Sequence, residues 1–130
     1  MSTIDDILAE ARADLDRATP SAALLDTPNT LIVDIRPTHN RAEEGEIPGS
    51  VVIERIVLEW RLDPAGDHRI EGFDADTRAI VVCNEGYSSS LAARDLRAVG
   101  LANATDLVGG FRAWKAAGLP TRTGASTPIT

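Results

Sequence analysis

The chain has 130 residues, 20 acidic against 13 basic, a formal net charge of −7 and one cysteine. Its length suits a single domain that buries about two thirds of the unfolded surface around one core. The acidity argues against nucleic acid or an anionic membrane as a partner, and the lone cysteine excludes an internal disulfide and an all-cysteine metal site.

The N-terminus lacks the basic and apolar stretches of a signal peptide, and no run reaches the length of a membrane span. A soluble cytoplasmic protein is expected. Lys115 is the only lysine, while Ala, Asp and Arg are abundant, which suggests a GC-rich bacterial genome.

Thr3 to Arg17 opens with a capping-box pattern, Thr3 with Asp6, and carries Ile4, Ile7, Leu8, Ala11 and Leu15 on one face. This predicts an amphipathic helix, residues 1–19 in all, whose apolar stripe docks on its own domain. Pro20 breaks the pattern. Ser21 to Leu25 reads as a helical turn, and Pro28 with Asn29 leads into a strand over Leu31–Ile35. Asp34 and Arg36 stand at its carboxyl end, where open α/β sheets place their ligands. A charged pair there either reaches that edge or forms a structural ion pair that pins the next loop; the second role is expected.

Pro37 to Glu44 predicts a short irregular helix, followed by GEIPGS at Gly45 to Ser50 and a strand at Val51–Ile53. Glu54 to Leu62 is helix-like until Pro64, with Trp60 expected as a core or lid residue. Residues 63–77 are rich in loop formers.

Ala79 to Val82 then reads as a buried strand, and Leu91 to Val99 as an amphipathic helix ended by Gly100. Cys83 lies between them, at the end of the strand. Gly86 lets the intervening loop curl its amides inward, and Ser88 or Ser89 is expected to cap the helix. Inward amides and a helix N-terminus both favour negative charge, so this setting lowers the thiol pKa and suits a nucleophile. A buried strand-end cysteine acting as a small hydrophobe is the plain alternative.

Thr105 to Val108 predicts a last strand, and Gly109-Gly110 a tight turn into a helix over Phe111–Ala117 with Trp114. Two glycines without the rest of a fingerprint do not indicate a phosphate site. Residues 121–130 have the composition of a flexible tail. His39 and His68 lack metal-ligand spacing and read as surface residues, so no metal and no organic cofactor is expected. The alternation of strands and helices predicts an α/β fold, an open and mainly parallel sheet with helices on both faces.

Four stretches, DIR at Asp34 to Arg36, EIPGS at Glu46 to Ser50, CNEGYSS at Cys83 to Ser89, and LVGGFRAW with GLP at Leu107 to Pro120, resemble the single-domain rhodaneses in order and spacing. The resemblance covers about residues 20–120. It implies a rhodanese-like sheet of about five parallel strands and a sulfurtransferase whose Cys83 carries a sulfane sulfur as a persulfide. Asn84, Glu85, Gly86, Tyr87, Ser88 and Ser89 would form the substrate cradle, with Asp34 and Arg36 in support and Tyr87 alternatively a packing residue. The partners implied are a small-molecule sulfur donor and a thiol or cyanide acceptor, or a protein persulfide.

Two departures bear on substrate. Glu46 stands where many members have a histidine and receives no catalytic role. Ser88 stands where thiosulfate-using members often carry an arginine, and an inward Glu85 would repel a dianion. Thiosulfate, a polysulfide and a persulfide therefore all stay open as donors. The resemblance extends at fold level to cysteine phosphatases of the cell-cycle type and some arsenate reductases, whose loop ends in an arginine. Ser89 stands there in this chain and Arg94 lies inside the helix, which argues against phosphoryl chemistry. A catalytically weak binding or redox-sensing module is the alternative from a different class.

Overall fold

Alternate residues of two central strands build two cores. In the computed structural model, which describes residues 2–25 and 27–130, strand β1 (Thr30–Asp34) pairs in parallel with β3 (Arg78–Val82), placing Val33 beside Val81 and Asp34 beside Val82. Val33, Ala79 and Val81 face one side, against Ala92, Ala93 and Leu96 of α5 (Ser88–Ala98) and Leu58 of α4 (Leu58–Arg61). Ile80 and Val82 face the other, against Ala23 of α2 (Pro20–Leu24) and Phe111 and Trp114 of α6 (Gly110–Ala116). A strand buried on both faces reads as a continuous apolar run, which is why AIVV carries no alternation.

Strands β2 (Val51–Val52) and β4 (Thr105–Asp106) complete a parallel sheet in the order β2-β1-β3-β4, with helices on both faces as expected. Four strands rather than about five form the ladder. The fifth place, beyond β4, is held by one residue: Ala18 donates from its amide to Asp106 O at 3.0 Å and accepts from Val108 N at 2.8 Å.

That bridge also explains why the first helix is shorter than its apolar pattern. Helix α1 ends at Arg12, five residues before Arg17, because the chain must extend to reach the sheet edge. Ser2, not Thr3, is its N-cap and accepts from Asp5 N at 3.3 Å. Helix α1 packs on α5 of the same domain. Helix α3 (Thr38–Glu44) forms as expected, whereas Glu54–Leu62 divides into a 3-10 turn (Arg55–Val57) and the single turn of α4. Trp60 is 60% exposed, so it is not a core residue.

Residues 121–130 are not a loose tail. Arg122 and Glu46 exchange backbone hydrogen bonds, and Ile129 donates to Val52 O and accepts from Glu54 N. Composition misses this because the partners are tertiary: the open edge of β2 needs backbone partners, and the wholly buried Glu46 needs donors. No helix among the described residues is long and apolar enough to cross a membrane.

Candidate active site

The register of β1 and β3 decides where the site forms. Because Asp34 and Val82 are neighbours, the residues that follow them leave the sheet side by side. They line a hollow of about 240 Å³ bounded by Ile35, Arg36, Pro37, Cys83, Asn84, Glu85, Tyr87 and Ser88. Cys83 is buried, with 7% of its surface exposed, and is the only thiol.

Two backbone amides converge on its sulfur, Gly86 N at 3.2 Å and Ser89 N at 3.4 Å. Burial pushes the thiol pKa up, but hydrogen bonding from the Ser89 and Ser88 hydroxyls and from the Ser89 and Gly86 amides outweighs it and holds the group below its ordinary value. The Ser89 hydroxyl also donates to Asp106 Oδ2 at 2.7 Å. Its one hydrogen serves one acceptor at a time, so the amides are the permanent donors.

The loop around the sulfur is held from outside through its carbonyls. Phe111 N donates to Cys83 O at 2.9 Å and Arg112 N to Asn84 O at 3.1 Å, so the first turn of α6 holds the front of the loop. This contact requires glycine at 110, where a Cβ would stand 2.6 Å from Cys83 O. From behind, Arg12 Nη2 and Arg17 Nη2 donate to Gly86 O at 2.7 and 2.9 Å.

Sequence reading missed these arginines and Asp106. Ser89 and Ser90 both donate to Asp106 Oδ2 at 2.7 Å, and Arg17 Nε donates to Asp106 Oδ1 at 2.8 Å. Neither Ser88 nor Ser89 caps α5, because the helix begins at Ser88 and both lie in its first turn. Tyr87 takes the N-cap position without a side-chain bond, and Ser89 turns to the buried carboxylate instead. The signal available in sequence was Asp106 itself, an acid inside a predicted strand.

The other expected residues fall at different depths. Gly86 and Ser89 lie beneath the hollow, while Tyr87 is 60% exposed at its mouth with the Arg12 guanidinium over its ring. Glu85, on the rim of the hollow, gives its carboxylate to Arg112 Nη1 at 3.0 Å, which offsets its charge. Asp34 and Arg36 form a buried pair at 2.8 Å. Arg36 Nη2 also donates to Gly45 O at 2.7 Å, and its guanidinium lies 3.9 Å from the Phe111 ring centre, so the pair ties the end of β1 to α6.

Glu46 lies away from the hollow. It is gripped by Arg41 at 2.6 Å, Arg122 at 3.1 Å and the Ser126 hydroxyl at 2.6 Å. Burial alone would raise its pKa, but these donors, with Ser126 foremost, hold the carboxyl at about 2. His39 is exposed beside Glu43 and His68 is exposed in its loop. Among the described residues no three His, Cys, Asp or Glu side chains gather as a metal-ligand group.

The rhodanese-like domain family matches residues 18–117, which includes the whole cysteine loop and both strands beneath it. The chain belongs to the rhodanese-like family. Its relatives include sulfurtransferases. Thiosulfate sulfurtransferase GlpE of Pseudoalteromonas translucida is 34% identical over 94 residues, 72% of this chain and 81% of the relative. Adenylyltransferase and sulfurtransferase MOCS3-2 of Zea mays is 34% identical over 84 residues, 65% of this chain and 17% of the relative, so the chain spans about a sixth of that protein. A solved structure from Rhodopseudomonas palustris CGA009, described as a protein of unknown function and possible tyrosine phosphatase, superposes with a TM-score of 0.83 at 31% identity, covering 93% of this chain and 95% of that one.

Proposed function

We propose that Cys83 is the nucleophile of a sulfurtransferase that carries one sulfane sulfur as a persulfide. The observation that carries this reading is the pair of amides on a buried, acidified thiol at the floor of a small hollow. The Cys83 thiolate attacks the outer sulfur of the donor. A sulfur–sulfur bond forms as the donor's own bond to that sulfur breaks, and the donor's remainder leaves with the electron pair. The terminal sulfur keeps one negative charge, which the inward amides of the loop stabilise. A thiol or cyanide then attacks that sulfur and restores the Cys83 thiolate, so the cycle closes without an outside oxidant or reductant.

Donor choice follows from the lining. Ile35, Pro37 and the Tyr87 ring make much of the wall, and Ser88 offers a hydroxyl where a guanidinium would best hold a dianion. A polysulfide or a persulfide, small or protein-borne, suits this wall better than thiosulfate. A single reactive thiol that must stay reduced between turnovers also suits the cytoplasm.

Sulfur transfer is favoured over phosphoryl transfer because the cysteine loop from Cys83 to Ser89 holds no arginine, and Arg36, which lines the hollow, is committed to Asp34. Arg94 is half-exposed on α5 and bonds Asp95 at 3.2 Å. The test is thiocyanate release from polysulfide and cyanide by the wild type and by Cys83→Ala. Release by the wild type alone supports the proposal. Equal release by a folded Cys83→Ala, or none by either, overturns it and favours a binding or redox-sensing module.

A further inference from the structure

We propose that Arg12 and Arg17, both outside the stretch that matches the family, are positioning residues for the Cys83 loop, so that the N-terminal segment is part of the active unit. The family match begins at residue 18, and both arginines precede it. The proposal rests on the persulfide reading above.

In a trans peptide the N–H points opposite to the C=O, so a carbonyl fixed on one side fixes the next residue's amide on the other. Gly86 O is taken at 2.7 Å by Arg12 and at 2.9 Å by Arg17, on the side away from the hollow. The Gly86–Tyr87 peptide is thereby fixed directly after the Gly86 amide that bonds Cys83 Sγ. Without these donors the Gly86 carbonyl loses its hydrogen-bond partners, at a residue that rotates more freely than any other. Helix α6 fixes the carbonyls of Cys83 and Asn84 in the same sense from the front. Front and back holders together pin the turn that carries the Gly86 amide onto the sulfur.

Arg17 also pairs with the buried Asp106, so its contact serves the sheet edge as well. Arg12 separates the two roles. Its polar partners are Gly86 O and Ser90 Oγ, at 2.7 and 3.0 Å, and the Tyr87 ring lies under its guanidinium. It touches the loop and the start of α5. The charged groups around the thiol are these two arginines, Asp106 on β4, Glu85 with Arg112 on α6, and Arg36 with Asp34 at the end of β1.

Cys83 is the only cysteine, so alkylation by iodoacetamide across pH reads this thiol alone. The full chain is compared with Arg12→Ala, Arg12→Lys and, as a control on the exposed face of α1, Glu10→Ala. Removing a charged donor to the loop raises the alkylation midpoint of Arg12→Ala by about half to one pH unit and slows reaction at neutral pH roughly three- to tenfold. Arg12→Lys, which keeps the charge and one donor, recovers part of the loss, and Glu10→Ala matches the wild type. An Arg12→Ala midpoint equal to that of the wild type overturns the proposal. If a melt shows Arg12→Ala unfolded, Arg12→Gln decides on the same criterion. Loading by polysulfide is measured alongside: a wild type that takes up no sulfur defeats the sulfurtransfer reading and leaves the Arg12 comparison valid, whereas loading with unshifted Arg12 variants defeats only the positioning role.

Discussion

The Gly86 amide lies 3.2 Å from Cys83 Sγ, on a residue whose φ of +85° is one that side chains resist. A Cβ there would stand 2.8 Å from Gly109 N, a backbone atom with little room to yield. Gly86→Ala is therefore expected to destabilise the protein by at least about 1–2 kcal/mol from the backbone conformation alone. It should also slow Cys83 alkylation by moving the amide off the sulfur. Urea unfolding and iodoacetamide kinetics on one preparation check both outcomes; a stable variant with wild-type reactivity would contradict the account of the loop.

Cys83 itself should titrate below an ordinary cysteine. Burial opposes this and hydrogen bonding to the sulfur outweighs it, so the thiolate forms at lower pH than in an unfolded peptide. The alkylation rate of the folded protein is expected to rise with a midpoint below that of the same protein unfolded in urea. Coincident midpoints would mean that the amides do not stabilise the anion.

Acid should weaken the fold through Glu46. Its carboxyl is held at about 2 against an ordinary 4.5, so the unfolded chain binds the proton first as pH falls. The stabilisation is complete above about pH 4.5 and is lost as pH drops toward 2, amounting to roughly 3 kcal/mol. Glu46→Gln should remove that limb of the stability profile. It also leaves Arg41 buried without its counter-charge, at a cost of about 3–5 kcal/mol at neutral pH. Urea midpoints between pH 2 and 7 check this, and an unchanged acid limb in Glu46→Gln would assign it to another group.

Ser88 lines the hollow and is exposed, so a longer side chain fits there. Ser88→Arg is expected to raise loading from thiosulfate about tenfold by adding a charged donor for the dianion. Polysulfide loading should change far less, and added salt should reduce the gain. Equal gains for both donors would point to a general effect on the thiol instead.

What sequence made legible was whatever is local along the chain. The run from Ala79 to Ser89 carries its strand, its turn glycine and its helix start within a few residues, and the structure forms them there. Asp34 and Arg36 are two residues apart, so their pairing could be anticipated. What escaped depends on contacts between distant segments. Arg12 meets Gly86 across 74 positions, and a surface arginine on an amphipathic helix has no local mark of such a partner. Ser89 has the chemistry of a cap, but α5 starts one residue before it, and its hydroxyl donates to a buried acid 17 positions away. The tail from Thr121 looked unstructured because its partners lie far earlier in the chain, Glu46 being 76 positions before Arg122.

The most direct test of sulfur transfer is intact-mass analysis after exposure to polysulfide or, separately, thiosulfate, followed by cyanide, with Cys83→Ala in parallel. The account predicts a gain of one sulfur atom on the wild type, absent from Cys83→Ala, removed by cyanide as thiocyanate, and larger from polysulfide. No gain from either donor, or a gain that survives in Cys83→Ala, would contradict it.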